Sequence, residues 1–195
     1  MTSLSWLRGL CSPVRSPGMS QSVIVLAFAR MGLKPTQYRC ASEALLRRLR
    51  KDGALPQLHP LIDLCNAVSA AFATPVAVFD VAKITGNLEV RYADGHEDYL
   101  TFGGETEHPD PHEVIFADLA RQVHARRWTN RQSGLSAVQG STAAVLVVAE
   151  AMHDSASSDV PELIAEIADQ LNGVWCTTPL TTMLSQSAPR FTFWK

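Results

Sequence analysis

The sequence predicts an α+β fold, on three observations. Helical periodicity fills the first third of the chain, period-two alternation runs through its middle, and one amphipathic helix follows near the end. Helices, then a run of strands, then a helix argues for segregated layers and against alternating βαβ units. At 195 residues and 46% apolar composition, one domain with a single sizeable core is expected. Residues 1–20 are expected to be poorly ordered, 21–175 to form the domain, and 176–195 to be an irregular tail rich in Ser, Thr and Pro.

Ser20 to Leu33 reads as a helix, closed by Gly32 and stopped before Pro35. Ser42 is the expected N-cap of a second helix, Glu43 to Lys51, with Gly53 beyond its end. Glu43 opens that helix and Arg47, Arg48, Arg50 and Lys51 close it, matching the macrodipole. A third helix starts on Pro60 and runs to about Ala71, with Leu61, Ile62, Leu64, Cys65 and Val68 as its core stripe. Asp63, Asn66 and Ser69 step by three along another face, as a solvent edge or as the wall of a polar pocket.

After Pro75 the period changes. Val76 to Phe79 reads as a strand, and Asn87 to Tyr92 alternates. The Asp94-Gly95 pair predicts a hairpin into Tyr99–Phe102. Gly103 to Pro111 reads as a loop, and Val114–Ala117 and Val123–Trp128 as further strands. Asp159 is the expected cap of a last helix beginning at Pro161, with Gly173 after it.

The net charge of −2 hides an asymmetry. Nine of the 17 basic residues and a single acid lie in residues 1–51, which carry +8; the remainder carries −10. Non-specific duplex DNA binding draws on many phosphate contacts, which this balance does not supply. A locally basic face suits a few phosphates held near a pocket, or is an ordinary solvated helix face. The four cysteines are widely spaced without a C-x-x-C pair and read as small buried hydrophobes of a reducing compartment. The six histidines lack metal-ligand spacing, so no metal is expected. Val23 to Ala29 is too short to span a bilayer and residues 1–19 lack a signal-peptide core, so the expected location is cytoplasmic.

Chemistry concentrates in Arg126 to Glu150. Three arginines, Trp128 and Asn130 fall within six residues, and a glycine-containing loop then leads into the apolar strand Ala143–Ala149, which ends on Glu150. A carboxylate closing so apolar a strand requires a reason. No G-x-S-x-G elbow, phosphate loop or H-E-x-x-H is present. The constellation fits a reaction that asks little of side chains, such as hydrolysis of an already activated ester.

The phrases SEALLRRLRKDGALPQLHPLIDLCNAVS (42–69), TPVAVFD (74–80), LEVRYADG (88–95), VIFAD (114–118) and RRWTNRQS (126–133) occur in order. Together they resemble the editing module of the bacterial phenylalanyl-tRNA synthetase beta subunit, the B-three/B-four domain. The free-standing relatives of that module are closer still. The likeness runs from about Phe28 to Leu171. It implies three layers: a β-sandwich of unusual topology with helices packed over it.

In function, the resemblance implies an aminoacyl-tRNA deacylase acting in trans on the acceptor end of a mischarged tRNA. No DNA, membrane, metal or cofactor is expected to take part. The family's strand-end glutamate, which recognises the amino acid's hydroxyl, corresponds to Glu150, and its helical Asp and Asn to Asp63 and Asn66. Asn130 and Thr142 are further polar contributors to the amino-acid pocket. Arg47, Arg48, Lys51, Arg127 and Arg131 would hold phosphates, and Trp128 would stack on the terminal adenine. The attacking water is positioned by backbone groups and the substrate's own ribose, so no side-chain base is assigned.

Two departures bear on this. A histidine near the family's editing pocket is replaced here by Ala77, so a smaller hydroxylated amino acid is as fitting a substrate as tyrosine, whose misattached ester the synthetase's module hydrolyses. The first 20 residues do not resemble the start of the free-standing relatives, which implies a missing layer or a late start. Both departures favour the competing reading, a non-catalytic tRNA- or RNA-binding module that retains the fold. An esterase that does not need tRNA is a third.

Overall fold

The computed structural model describes residues 28, 29, 32, 34 and 38–192. The expected helix Ser20–Leu33 and the N-terminal segment therefore lie almost wholly outside the described residues. Helix α1 spans Ala41–Asp52 and ends on Gly53, whose φ of 71° lets its N–H reach the Leu49 carbonyl. It begins earlier than expected, because Cys40 and not Ser42 is the N-cap. Ser42 is buried instead, and its hydroxyl donates to the Ala73 carbonyl, tying α1 to the end of the next helix. Helix α2, Pro60–Phe72, opens on Pro60 as predicted, with His59 accepting from the Leu61 N–H.

Eight strands follow: β1 Val76–Asp80, β2 Leu88–Tyr92, β3 Tyr99–Leu100, β4 Thr106–Glu107, β5 Val114–Asp118, β6 Val123–Arg126, β7 Arg131–Gln132 and β8 Val145–Ala149. Helix α3, Ala156–Trp175, closes the domain. It starts five residues before the expected Pro161, and Gly173 lies inside it; the left-handed residue that ends it is Cys176. Asp159 sits in its first turn, where it accepts from Ser155 Oγ and pairs with His153. Residues 177–192 carry no regular secondary structure.

The strands form antiparallel sheets. β1 pairs with β8, β2-β5-β6-β7 make a second sheet, and β3 pairs with β4. The hairpin expected across Asp94-Gly95 is absent: β2 pairs with β5, from Leu88↔Asp118 to Tyr92↔Val114. Glu97 is the reason. Its fully buried carboxylate accepts from the Asp94 and Gly95 N–H groups and from Arg91, wrapping the turn around itself. Backbone groups that would carry a ladder onward are thereby spent on a side chain.

Parity along β1 and β8 creates the layers. Val76, Val78, Val145, Val147 and Ala149 face the helices and pack against Leu61, Leu64, Val68, Leu163 and Ile167. Ala77, Phe79 and Val148 face the other way, onto Phe116, Ala125, Trp128 and Phe28. The order is helices, the β1–β8 pair, then the four-stranded sheet, an α+β sandwich as predicted. Gln132 crosses between the two sheets, donating to the Val78 carbonyl at 2.6 Å.

Candidate functional site

Glu150 is the residue after β8, and its N–H still reaches back to the Pro75 carbonyl. Two steps beyond Val148, its side chain points into the space between the sheets. There a cavity of about 70 Å³ is walled by Ala77, Val148, Phe116 and Ala125, with Thr129, Asn130, Arg131, Gln132 and Glu150 as its polar residues. Ala77 lies directly opposite Val148 in the β1–β8 register, so the position expected to hold a histidine opens onto this cavity. Burial pushes the Glu150 carboxyl up to about 7, against a lowering from the Trp128 indole, which donates to Oε2 at 2.5 Å.

The opposite wall is the turn from β6 to β7. Arg127 and Trp128 both have left-handed backbone, φ 49° and 54°. For L residues this costs about 1–2 kcal/mol each, so something must hold them. Glu113 does: its Oε1 accepts from the Arg127 N–H at 2.8 Å and from Arg126 Nε at 2.8 Å, while Oε2 accepts from Arg126 Nη2 at 2.9 Å. The Trp128 N–H donates to the Val114 carbonyl. The strand expected to reach Trp128 therefore ends at Arg126.

Arg126 is buried and also donates to Glu107 at 2.7 Å. Burial pushes the Glu113 carboxyl upward, but the bonds and charge of Arg126 outweigh it, and the group is held below its ordinary value. Glu107, Glu113 and Arg126 form a network that no sequence pattern announced. A short acidic loop followed about 20 residues later by paired arginines was its one visible trace.

Several expected contacts belong to this frame. Arg131 donates to Glu107 at 3.0 Å, and the Arg127 guanidinium lies over the Tyr38 ring at 4.5 Å. Trp128 is only 5% exposed and meets Phe28 edge-on, so its indole is not an open platform for a base. Asn130 lines the cavity, while its amide donates to the Arg39 carbonyl at 2.6 Å. With the Ala41 N–H bonded to the Thr129 carbonyl, this fixes the start of α1 to the cavity wall.

The remaining predicted pocket residues are not gathered there. Asp63 accepts from the Leu58 N–H ahead of α2, and neither it nor half-buried Asn66 lines the cavity. Ser69, third of that polar row, donates inward to the Thr74 carbonyl. Thr142 donates to Asp80 at the far end of the β1–β8 pair, where Asp80 faces Val145, roughly 13 Å of strand from the Glu150 end. Arg47, Arg48 and Lys51 are exposed on α1, and of these Arg48 is near Asp52 at 3.6 Å.

Among the described residues no group of three or more His, Cys, Asp or Glu could hold a metal ion. No helix there is long and apolar enough to cross a membrane.

Helices over a two-stranded layer, a second sheet beneath and an acid at the end of an inner strand define the class of the domain. The chain belongs to the B3/4 domain family, whose model matches residues 25–161. The phenylalanine–tRNA ligase beta subunit of Cereibacter sphaeroides is 38% identical over 77 residues, 40% of this chain and 9% of that one. That of Rhodopseudomonas palustris is 32% identical over 100 residues, 51% of this chain and 12% of that one. That of Shewanella oneidensis is 32% identical over 76 residues, covering 39% and 9%. The matched stretch is thus about a tenth of each relative's length.

Proposed function

We propose that this chain is an aminoacyl-tRNA deacylase that acts in trans on a tRNA mischarged with a hydroxylated amino acid. One observation carries the reading: Glu150 stands alone as the carboxyl group of a small, largely apolar cavity and has no charged partner in it. A carboxyl so placed is a hydroxyl reader. A substrate hydroxyl satisfies it, and an apolar analogue leaves it desolvated and unpaired, which a site of this kind rejects strongly.

The reaction adds water to the ester carbonyl and breaks the bond to the ribose oxygen, releasing free amino acid and restoring the tRNA hydroxyl. Glu150 supplies recognition in this scheme; Asn130 is a second polar contact. The modest cavity, open where Ala77 stands, suits a hydroxylated side chain of limited size. In this reading the exposed cations of α1 hold acceptor-end phosphates, supported by the hydrogen bonds that tie the start of that helix to the cavity wall.

The test is release of amino acid from a panel of mischarged tRNAs by the purified protein. Turnover on esters of hydroxylated amino acids, and little on their deoxy counterparts, is the expected result. No turnover on any such ester by folded protein overturns it. The second reading, an RNA-binding module without catalysis, draws on the absence of any His, Cys or second carboxylate among the described cavity-lining residues. Its signature is tRNA binding that weakens steeply with salt, without ester cleavage.

A further inference from the structure

We propose that Trp128 is the positioning residue for Glu150: its indole N–H fixes one carboxylate oxygen so that the other is presented to the cavity for a ligand hydroxyl. Four observations carry this. The indole is buried in an aromatic cluster with Phe28 and Phe116, where a phenylalanine would fill space without bringing a polar group. A buried indole N–H needs an acceptor, and its acceptor here is Glu150 Oε2 rather than a nearby carbonyl.

The second oxygen, Oε1, receives no hydrogen bond from the described residues, and Glu150 lines the cavity. Finally, the two consecutive left-handed residues that turn the indole inward are held by the Glu113 carboxylate, so strain is maintained where it aims this one side chain. The other charged group lining the cavity, Arg131, is paired with Glu107 and does not compete for Glu150.

The inference rests on the reading of Glu150 as the hydroxyl-sensing group and deepens it. Two substitutions remove the donor: Trp128→Phe, and Trp128 replaced by benzothienylalanine, which keeps the bicyclic shape and puts sulfur where the N–H was. The Glu150 carboxyl is followed by carbon-13 NMR across pH in the ligand-free protein. Loss of the N–H is expected to raise its pKa by about one unit above that of the wild type, a tenfold change in protonation equilibrium. The preference for hydroxylated over deoxy esters, as a ratio of kcat/KM, is expected to fall about tenfold with tRNA affinity unchanged.

A role in packing alone would lower thermal stability and leave both readouts where they were. An unmoved Glu150 titration in the folded benzothienylalanine protein overturns the proposal, as does full ester selectivity in that protein. If the wild type cleaves no ester, the deacylase reading fails, while the NMR comparison still decides whether Trp128 sets Glu150.

Discussion

Two basic regions of this chain carry similar residues to different ends. On α1, Arg47, Arg48, Arg50 and Lys51 point into solvent, with one loose ion pair between Arg48 and Asp52. In the turn after β6, Arg126 is buried against Glu113 and Glu107, Arg131 shares Glu107, and Arg127 lies over Tyr38. The first region keeps its charge for whatever approaches. The second spends most of its charge on holding a strained turn. What separates them is the supply of carboxylates from β4 and from the residue just ahead of β5, not anything in the arginines themselves.

The largest effect expected from testing that contrast is Arg126→Ala. Removing one partner of a buried pair strands Glu113, and a loss of about 3–5 kcal/mol in unfolding free energy is expected from urea titration. A loss under about 1 kcal/mol would place the turn's support elsewhere.

Glu150→Gln comes next. The folded carboxyl, at about 7, lies above the 4.5 of the free group, so between those values the folded state binds more protons than the unfolded chain. Wild-type stability should therefore fall as pH rises from about 4.5 to 7 on this account. The glutamine variant should lose that component and gain about 1–2 kcal/mol at pH 8, after discounting for partial exposure. Ester selectivity should collapse while tRNA affinity holds.

Arg127→Ala tests the boundary between the two regions. A stability loss of about 1 kcal/mol from the contact with Tyr38 is expected, together with weaker tRNA binding and intact ester selectivity. Equal loss of binding and selectivity would refute the division between grip and recognition. Smallest in stability are Arg47→Ala and Lys51→Ala, each within about 0.5 kcal/mol by thermal melting. Each should flatten the salt dependence of tRNA affinity by about one in logarithmic slope.

Acid should act on the buried turn. Glu113 is held below its ordinary value, so its stabilising contribution is present above the unfolded value of 4.5 and is lost as pH falls through the folded one.

How much of this was legible in the sequence depended on whether a feature is local. Pro60, Gly53 and the alternation from Val76 announce themselves within a few residues, and those elements formed as expected. Ser42 and Asp94-Gly95 carried equally clear local signals, yet long-range partners overrode both: Ala73 took the hydroxyl, and Glu97 took the turn's N–H groups. The family was legible because its motifs hold their order over a long stretch. Of the expected pocket, Glu150 and Asn130 line one cavity from opposite walls, the end of β8 and the β6–β7 turn of the facing sheet. Thr142 sits beyond the opposite end of β8, a distance that composition does not encode. Trp128, expected to face a nucleotide, faces Glu150 because it and Arg127 before it are both left-handed and reverse the chain there.

The register of β1 on β8 has one further consequence. Val76↔Ala149 and Ala77↔Val148 leave Glu150 with the parity of Val148, toward the sheet beneath. A slip of a single residue would exchange odd for even along the whole strand. The acid would then enter the layer of Leu64, Val68 and Leu163, where a carboxyl has no partner. The cavity-facing parity of Glu150 and the helix-facing core are thus interleaved along β8 and the residue after it. The bulk of Val145 and Val147 against the helices is what keeps Glu150 turned to the cavity, and a change that lightens either valine loosens that carboxyl from a face it never touches.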